Sequence, residues 1–227
     1  MGLFSDRKNK IPVWFMRQAG RYHSHYQNIR KKHGFMQCCK NPMLASEITM
    51  GPVEEFDFDA AIMFSDLLFP LEQLNMGLSY EQGPPSLQLR LDDLQVLKKL
   101  RPVTSSEEFY NFQKEALNLT AKRLSTGKTL LGFVGAPFTL YAYAVEGAHK
   151  GNLTSSKKGL YDGRYSGFME ILLPRLMENL CIQAESPAHA FCLFDTAAGE
   201  LSLDDYKLFV LPVLRDFARE FKDKNPG

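Results

Sequence analysis

Three mainly apolar runs along the chain are each followed by polar or small residues and then by a segment of helical periodicity. The runs lie within 59–64, 130–134 and 188–194. Apolar runs of this length are typical of strands that are buried on both faces of a parallel sheet. The residues that follow them are Ser65-Asp66, Gly135-Ala136-Pro137 and Asp195-Thr196. The pattern therefore predicts an α/β fold in which polar groups collect at the carboxyl ends of the strands.

Apolar residues at helical spacing fill most of the segments between these runs. They predict helices over about 26–32, 42–56, 67–74, 91–100, 106–125, 138–146, 164–184 and 203–221. Weaker strand-like runs lie at 13–16 and 77–80. Asn41-Pro42 has the composition of a helix start, with an Asn cap and Pro in the first turn. Gly34 is expected to stop the helix before it.

Alternating strands and helices are compatible with a (β/α)₈ barrel or with an open doubly wound sheet. Both folds place their ligands at the carboxyl ends of the strands. We predict a single domain over residues 1–227, with residues 1–10 as a flexible arm. Each polar strand end also has a simpler explanation, because Asp, Ser and Thr commonly cap helices.

Composition excludes several classes of protein. The chain has 227 residues, of which 44% are hydrophobic and 23% charged, with a net charge of +1, as in soluble globular proteins. No apolar run approaches the roughly 20 residues of a membrane span. Four cysteines without a CxxC pair indicate a reducing, cytoplasmic compartment.

Charge is unevenly distributed along the chain. Residues 7–46 contain nine Lys and Arg residues and no Asp or Glu, so the rest of the chain carries −8. A basic block of this kind indicates an anionic partner. It lacks a nucleic-acid-binding motif, and the whole chain is not strongly basic, which favours a small polyanion over nucleic acid.

The most distinctive stretch of the basic block is Met16-Arg17-Gln18-Ala19-Gly20-Arg21-Tyr22. A helical turn here would bring both guanidiniums onto one face, and each guanidinium matches a carboxylate or phosphate. Small residues between them would let a ligand approach the backbone. We interpret the stretch as an anion clamp, against the alternative of ordinary solvated arginines.

Other candidates follow the apolar runs. Asp66 could bind a cationic centre or N–H donors, transfer a proton, or simply cap the next helix. Tyr141 or Tyr143 could place a phenol in a pocket, or pack in the core. His189 and Cys192 have the wrong strand spacing for a metal site, because they point to opposite faces. No nucleotide-binding motif occurs, so a nucleotide cofactor has no support, and we expect no metal site at this pair.

Four blocks in order resemble the uroporphyrinogen decarboxylase family. They are Pro12 to Tyr22, Asp59 to Asp66, Gly132 to Gly147, and Phe194-Asp195-Thr196 with Gly199. The resemblance implies a (β/α)₈ barrel, a homodimer, and a cofactor-independent carboxy-lyase. Its substrate would be uroporphyrinogen, whose four acetate side chains become methyl groups to give coproporphyrinogen in haem synthesis. The eight carboxylates of that substrate agree with the basic block.

The resemblance also implies roles for individual residues. Asp66 would hydrogen-bond the pyrrole N–H groups and stabilise the positive charge of a protonated ring, and one of Arg17 and Arg21 would supply the proton. Substrate contacts would come from Arg17, Gln18, Ala19, Gly20, Arg21, Arg30, Phe35, Asp66, Tyr143 and Thr196.

Family members continue to a histidine in an Asn-Leu-Gly-His-Gly block, and this sequence contains no such block. We therefore expect the chain to be the N-terminal portion of a barrel whose last βα units are missing, with weak or absent turnover. One alternative is a non-catalytic relative that binds tetrapyrroles or a full-length subunit. Another is a corrinoid-linked methyltransferase, which would require a zinc site.

Overall fold

The computed structural model describes residues 11–81, 83–148 and 151–226, and these residues divide into two compact units. The first unit comprises 11–66, Tyr110–Phe133 and Ile182–Cys192. The second comprises Leu67–Phe109, Val134–Cys181 and 193–226. The predicted arm at 1–10 lies outside the described residues, and a single domain over 1–227 stays a prediction.

The first unit begins with three helices and a short strand. Their bounds are α1 Ser24–Arg30, α2 Phe35–Lys40, α3 Pro42–Phe56 and β1 Ala60–Ile62. The side chain of Asn41 accepts hydrogen bonds from the backbone N atoms of Met43 at 3.0 Å and Leu44 at 3.2 Å, so it caps α3 as predicted. Helix α2 was not predicted, because its six residues are too few for a periodic pattern.

After β1, the chain continues into several short elements of the second unit. Helix α4 spans Phe69–Gln73, and strands β2 Leu78–Ser79 and β3 Ser86–Leu87 form an antiparallel pair. The helix predicted over 91–100 is instead a 3₁₀ helix over Leu94–Lys99, where Asp93 caps the first turn. Helix α5 follows at Ser106–Arg123.

The main sheet has the order β1-β4-β5. Strand β4 is Thr129–Gly135, and β5, at Ala190–Phe194, follows helices α6 Pro137–Glu146, α7 Thr154–Gly159 and α8 Arg164–Ala184. Strand β1 runs parallel to β4, with Ala61 opposite Leu130. Strand β4 is buried throughout, as predicted. Strand β5 is only half-buried over its whole length, so the predicted complete burial of this strand is wrong.

The chain described here closes with an interrupted helix. It consists of α9 Leu203–Asp205, a π-helical segment at Tyr206–Val210, and α10 Leu211–Lys224. The predicted helix over 203–221 is therefore present but contains a π segment, which the apolar spacing did not indicate. The strand predicted at 13–16 is absent; this stretch is irregular.

Each unit has its own buried apolar residues. In the first, Tyr26, Cys38 and Ile48 form a cluster against which Ala19, Ile29 and Phe64 pack. In the second, Tyr141, with no exposed surface, packs edge-on against Tyr165 at 5.1 Å between ring centroids. The second cluster fixes helix α6, which carries the candidate Tyr143.

Candidate functional site

The stretch that carries Arg17 and Arg21 forms an irregular turn just before α1. The backbone N of His23 donates to the carbonyl O of Gly20 at 3.0 Å, which closes the turn. The stretch is not helical, so the neighbourhood that a helix would impose on the two arginines does not apply. Both arginine side chains are exposed, and neither guanidinium forms an ion pair with any described residue.

Hydrogen bonds tie this stretch to β1 and to the residue before it. The amide of Gln18, only 2% exposed, donates to the carbonyl O of Ala60 at 2.5 Å and accepts from the N of Ile62 at 3.0 Å. Upstream, Val13 and Asp59 exchange two bonds, from Asp59 N to Val13 O at 3.0 Å and from Val13 N to Asp59 Oδ2 at 2.8 Å. The arginines are therefore carried on a segment that is bonded to the sheet.

Asp66 follows β1 at its carboxyl end and is half-buried. Helix α4 begins after Leu68 and has no side-chain cap, so the structure does not support the interpretation of Asp66 as a helix cap. Just before it, Phe64 N donates to Thr49 Oγ1 at 2.8 Å, and Ser65 Oγ accepts from Gln113 Nε2 at 2.9 Å. These bonds hold the chain where it leaves the strand.

Arg30 and Phe35 lie in the same unit as Asp66. The Arg30 guanidinium stacks over the Phe35 ring at 5.8 Å and donates to the carbonyl O of His33 at 2.5 Å. Burial raises the pKa of the Cys39 thiol well above its usual range; the charge of Asp66 adds to the shift and that of Arg30 opposes it. Both charges therefore act on one thiol, and the raised pKa makes Cys39 an unreactive core residue.

The second unit holds the other two predicted residues. Tyr143 is half-buried on α6, and Thr196 is exposed just after β5. Tyr141 is a core residue whose hydroxyl donates to Ser156 O at 3.3 Å, so the structure places this phenol in the core. Of the ten predicted site residues, the structure thus groups eight in the first unit and places Tyr143 and Thr196 in the second.

A hydrogen-bonded pair beside Thr196, formed by the buried Thr139 and the half-buried Asp195, was not singled out from the sequence. Thr139 Oγ1 donates to Asp195 Oδ1 at 2.8 Å and accepts from Ala197 N at 3.0 Å. Burial raises the pKa of Asp195, although the hydrogen bonds from Thr139 oppose the shift. The pair fixes the turn that presents Thr196. The sequence signal that could have revealed the pair is that Thr139 and Asp195 each lie after a predicted strand.

His189 lies beside β4, and Cys192 lies on β5. His189 Nδ1 accepts from the backbone N of Leu130 at 3.0 Å, so its ring binds the edge of β4. Nowhere in the described ranges do three or more His, Cys, Asp or Glu residues form a group that could hold a metal ion. Among the helices of those ranges, none is both long and apolar enough to cross a membrane.

Comparison with known proteins assigns the family. The family model described as uroporphyrinogen decarboxylase matches residues 5–227. The chain belongs to the uroporphyrinogen decarboxylase family. Proteins named uroporphyrinogen decarboxylase include one from Citrifermentans bemidjiense, 39% identical over 89% of this chain and 60% of the relative. Another, from Geobacter metallireducens, is 36% identical over 96% of this chain and 64% of the relative.

The chain spans about 60% of the length of the curated relatives that it matches. Among solved structures, a methyltransferase from Methanosarcina mazei has a TM-score of 0.60 at 16% identity, over 79% of this chain and 54% of that one. At this identity the likeness concerns the fold alone, and it agrees with the α/β class predicted from the strand and helix pattern.

Proposed function

We propose that this member of the uroporphyrinogen decarboxylase family acts in haem synthesis as a cofactor-independent carboxy-lyase that converts uroporphyrinogen to coproporphyrinogen. The observation that carries the proposal is the exposed pair Arg17 and Arg21, on a segment bonded to the strand that leads to Asp66. Guanidiniums without an internal carboxylate partner suit a substrate with many carboxylates.

In the proposed reaction a pyrrole ring of the substrate first takes up a proton, which one of the two arginines supplies. The bond between the side-chain methylene and its carboxylate then breaks, carbon dioxide leaves, and the electron pair enters the protonated ring. A second proton, from water, adds to the methylene carbon, and the ring returns its extra proton to the arginine. Asp66 stabilises the positive charge on the ring while it exists.

The proposal includes further substrate contacts. Arg30 and Phe35, which already stack on each other, would line the substrate wall together with Ala19, Gly20 and the main chain of Gln18. Tyr143 and Thr196 are the other two residues proposed to contact the substrate. The finer form of the fold, a (β/α)₈ barrel, and the homodimer are parts of the same proposal. So is a cytoplasmic location, with which the four free cysteines agree.

The test is an assay of uroporphyrinogen conversion by this protein and by its Asp66→Asn variant. We expect the variant to lose roughly 10²–10³ in kcat with little change in KM, because the carboxylate acts on charge that develops during the reaction. Arg17→Ala and Arg21→Ala should weaken substrate binding, whereas Arg219→Ala, at an exposed arginine of α10, should not. Turnover by Asp66→Asn equal to that of the wild type would refute the role of Asp66.

A further inference from the structure

The side chain of Gln18 occupies a position that a neighbouring strand would normally fill. On one side of β1, the bonds from Thr129 N to Asp59 O and from Met63 N to Leu131 O join it to β4. Main-chain groups alternate sides along a strand, so Ala60 O and Ile62 N face the opposite edge. Gln18 donates to the first and accepts from the second. A residue of a parallel strand would make this same pair of bonds.

Gln18 lies between the two arginines in sequence. Arg17 precedes it and Arg21 follows it by three residues. The hydroxyl of Tyr22 donates to the carbonyl O of Gln18, which bonds the far side of the turn to the same residue. Upstream, the Val13–Asp59 bonds hold the chain on the residue before β1. The two exposed guanidiniums are thus carried by a backbone fixed at its centre.

We propose that Gln18 is a positioning residue that fixes the Arg17–Arg21 segment on the edge of β1 opposite β4 and so presets both guanidiniums for a polycarboxylate. The inference rests on the proposed function, and it assigns the Gln18 side chain to β1 rather than to the substrate. A segment whose conformation is fixed before binding loses less conformational entropy when the ligand binds. Loss of the Gln18 bonds should therefore weaken ligand binding beyond any loss of stability.

The chain offers a matched control in Gln183. This glutamine has no exposed surface and also bonds a strand with both ends of its amide, to Phe133 O at 3.0 Å and from Phe133 N at 3.1 Å. It lies on α8, carries no predicted ligand-binding segment, and makes a further bond, to Gln113 Oε1 at 3.3 Å. Replacement of either glutamine by Met keeps the approximate shape of the side chain and removes both bonds to a buried strand.

The first experiment compares Gln18→Met and Gln183→Met by thermal unfolding, by hydrogen exchange, and by titration with the octacarboxylate uroporphyrin. We expect both variants to unfold at lower temperature. Only Gln18→Met should show faster exchange of the His23 amide, which closes the arginine turn, and only it should bind uroporphyrin more weakly, by about tenfold or more. Equal losses of binding in the two variants, or unchanged exchange of the His23 amide in Gln18→Met, would overturn the proposal.

A second variant covers the case in which Gln18→Met fails to fold. A protonated carboxyl can donate and accept as the amide does, whereas a carboxylate cannot donate to Ala60 O. Gln18→Glu should therefore bind uroporphyrin like the wild type at low pH and lose affinity, relative to the wild type, as the introduced carboxyl ionises. A ratio of affinities that does not change with pH would contradict the proposal.

The two proposals can fail separately. If the wild type neither binds uroporphyrin nor decarboxylates uroporphyrinogen, the proposed function is wrong. Exchange of the His23 amide would still decide whether Gln18 fixes the arginine segment, because that measurement requires no ligand.

Discussion

Individual polar side chains hold the candidate site residues in place. The Gln18 amide joins the arginine segment to β1, and the Thr139 hydroxyl joins Asp195 to Ala197 around Thr196. Each of these groups donates and accepts at once. A bond of this kind contributes about 1 kcal/mol to stability, so its loss can disturb a site without unfolding the protein.

Asp195 should make the stability of the protein depend on pH. Burial raises its pKa in the folded protein, so the folded state binds a proton that the unfolded state has released. The stability contribution of the neutral carboxyl is complete below the ordinary pKa of Asp and is lost as pH rises through the folded pKa. Asp195→Asn should therefore raise the free energy of unfolding at pH 7, with a gain that shrinks as pH falls.

Urea unfolding at several pH values measures this effect. The Asn side chain can still accept from Thr139, so the variant isolates the charge. The control is Asp216→Asn, at an exposed Asp on α10, for which only a small change in stability is expected at any pH. A less stable Asp195→Asn protein at pH 7 would show that the ionised carboxylate is favourably bound.

At the scale of elements, local signals predicted those parts of the fold that local chemistry decides. Asn41-Pro42 placed the start of α3 correctly, and the apolar run at 130–134 lies within β4. The arginine turn escaped prediction because its shape depends on bonds between Gln18 and residues about 42 positions later. No local pattern reports such a bond, and the same holds for the Thr139–Asp195 pair.

Helix α3 offers a test of local chemistry. Asn41→Ala removes an acceptor for two backbone N–H groups of the first turn and should destabilise the protein by about 1 kcal/mol. Asn41→Ser retains a cap and should recover most of that loss. Asn28→Ala, at an exposed Asn within α1, provides the control and should not destabilise the protein, since Ala favours helix. An equal loss in Asn41→Ala and Asn41→Ser would indicate that the cap contributes nothing.

At the scale of the whole molecule, the fold and the family support different conclusions about this protein. The methyltransferase from Methanosarcina mazei shares the fold at 16% identity, so the fold alone does not select a reaction. The match of the family model to residues 5–227 assigns the family. The charge distribution adds an independent physical constraint, because nine basic residues and no acidic residue occupy positions 7–46 of a chain whose net charge is only +1.

This distribution predicts how the rate of substrate capture depends on salt. A local positive field speeds the arrival of a polyanion, and salt screens that field over about 8–10 Å at ordinary ionic strength. The association rate of uroporphyrin should therefore fall as ionic strength rises. Replacement of both Lys31 and Lys32, which are exposed within the block, by Glu should slow association at low salt by about tenfold and flatten the salt dependence.

A second lysine pair separates the local field from net charge. Lys98 and Lys99 are also adjacent and exposed, but they lie outside the block, on the 3₁₀ helix of the second unit. Their replacement by Glu changes the net charge equally, so stopped-flow rates for the two double variants differ only if the position of the charge matters. Equal slowing would assign the effect to net charge. Slowing confined to Lys31 and Lys32 would place the capture of the polyanion at the segment that carries Arg17 and Arg21.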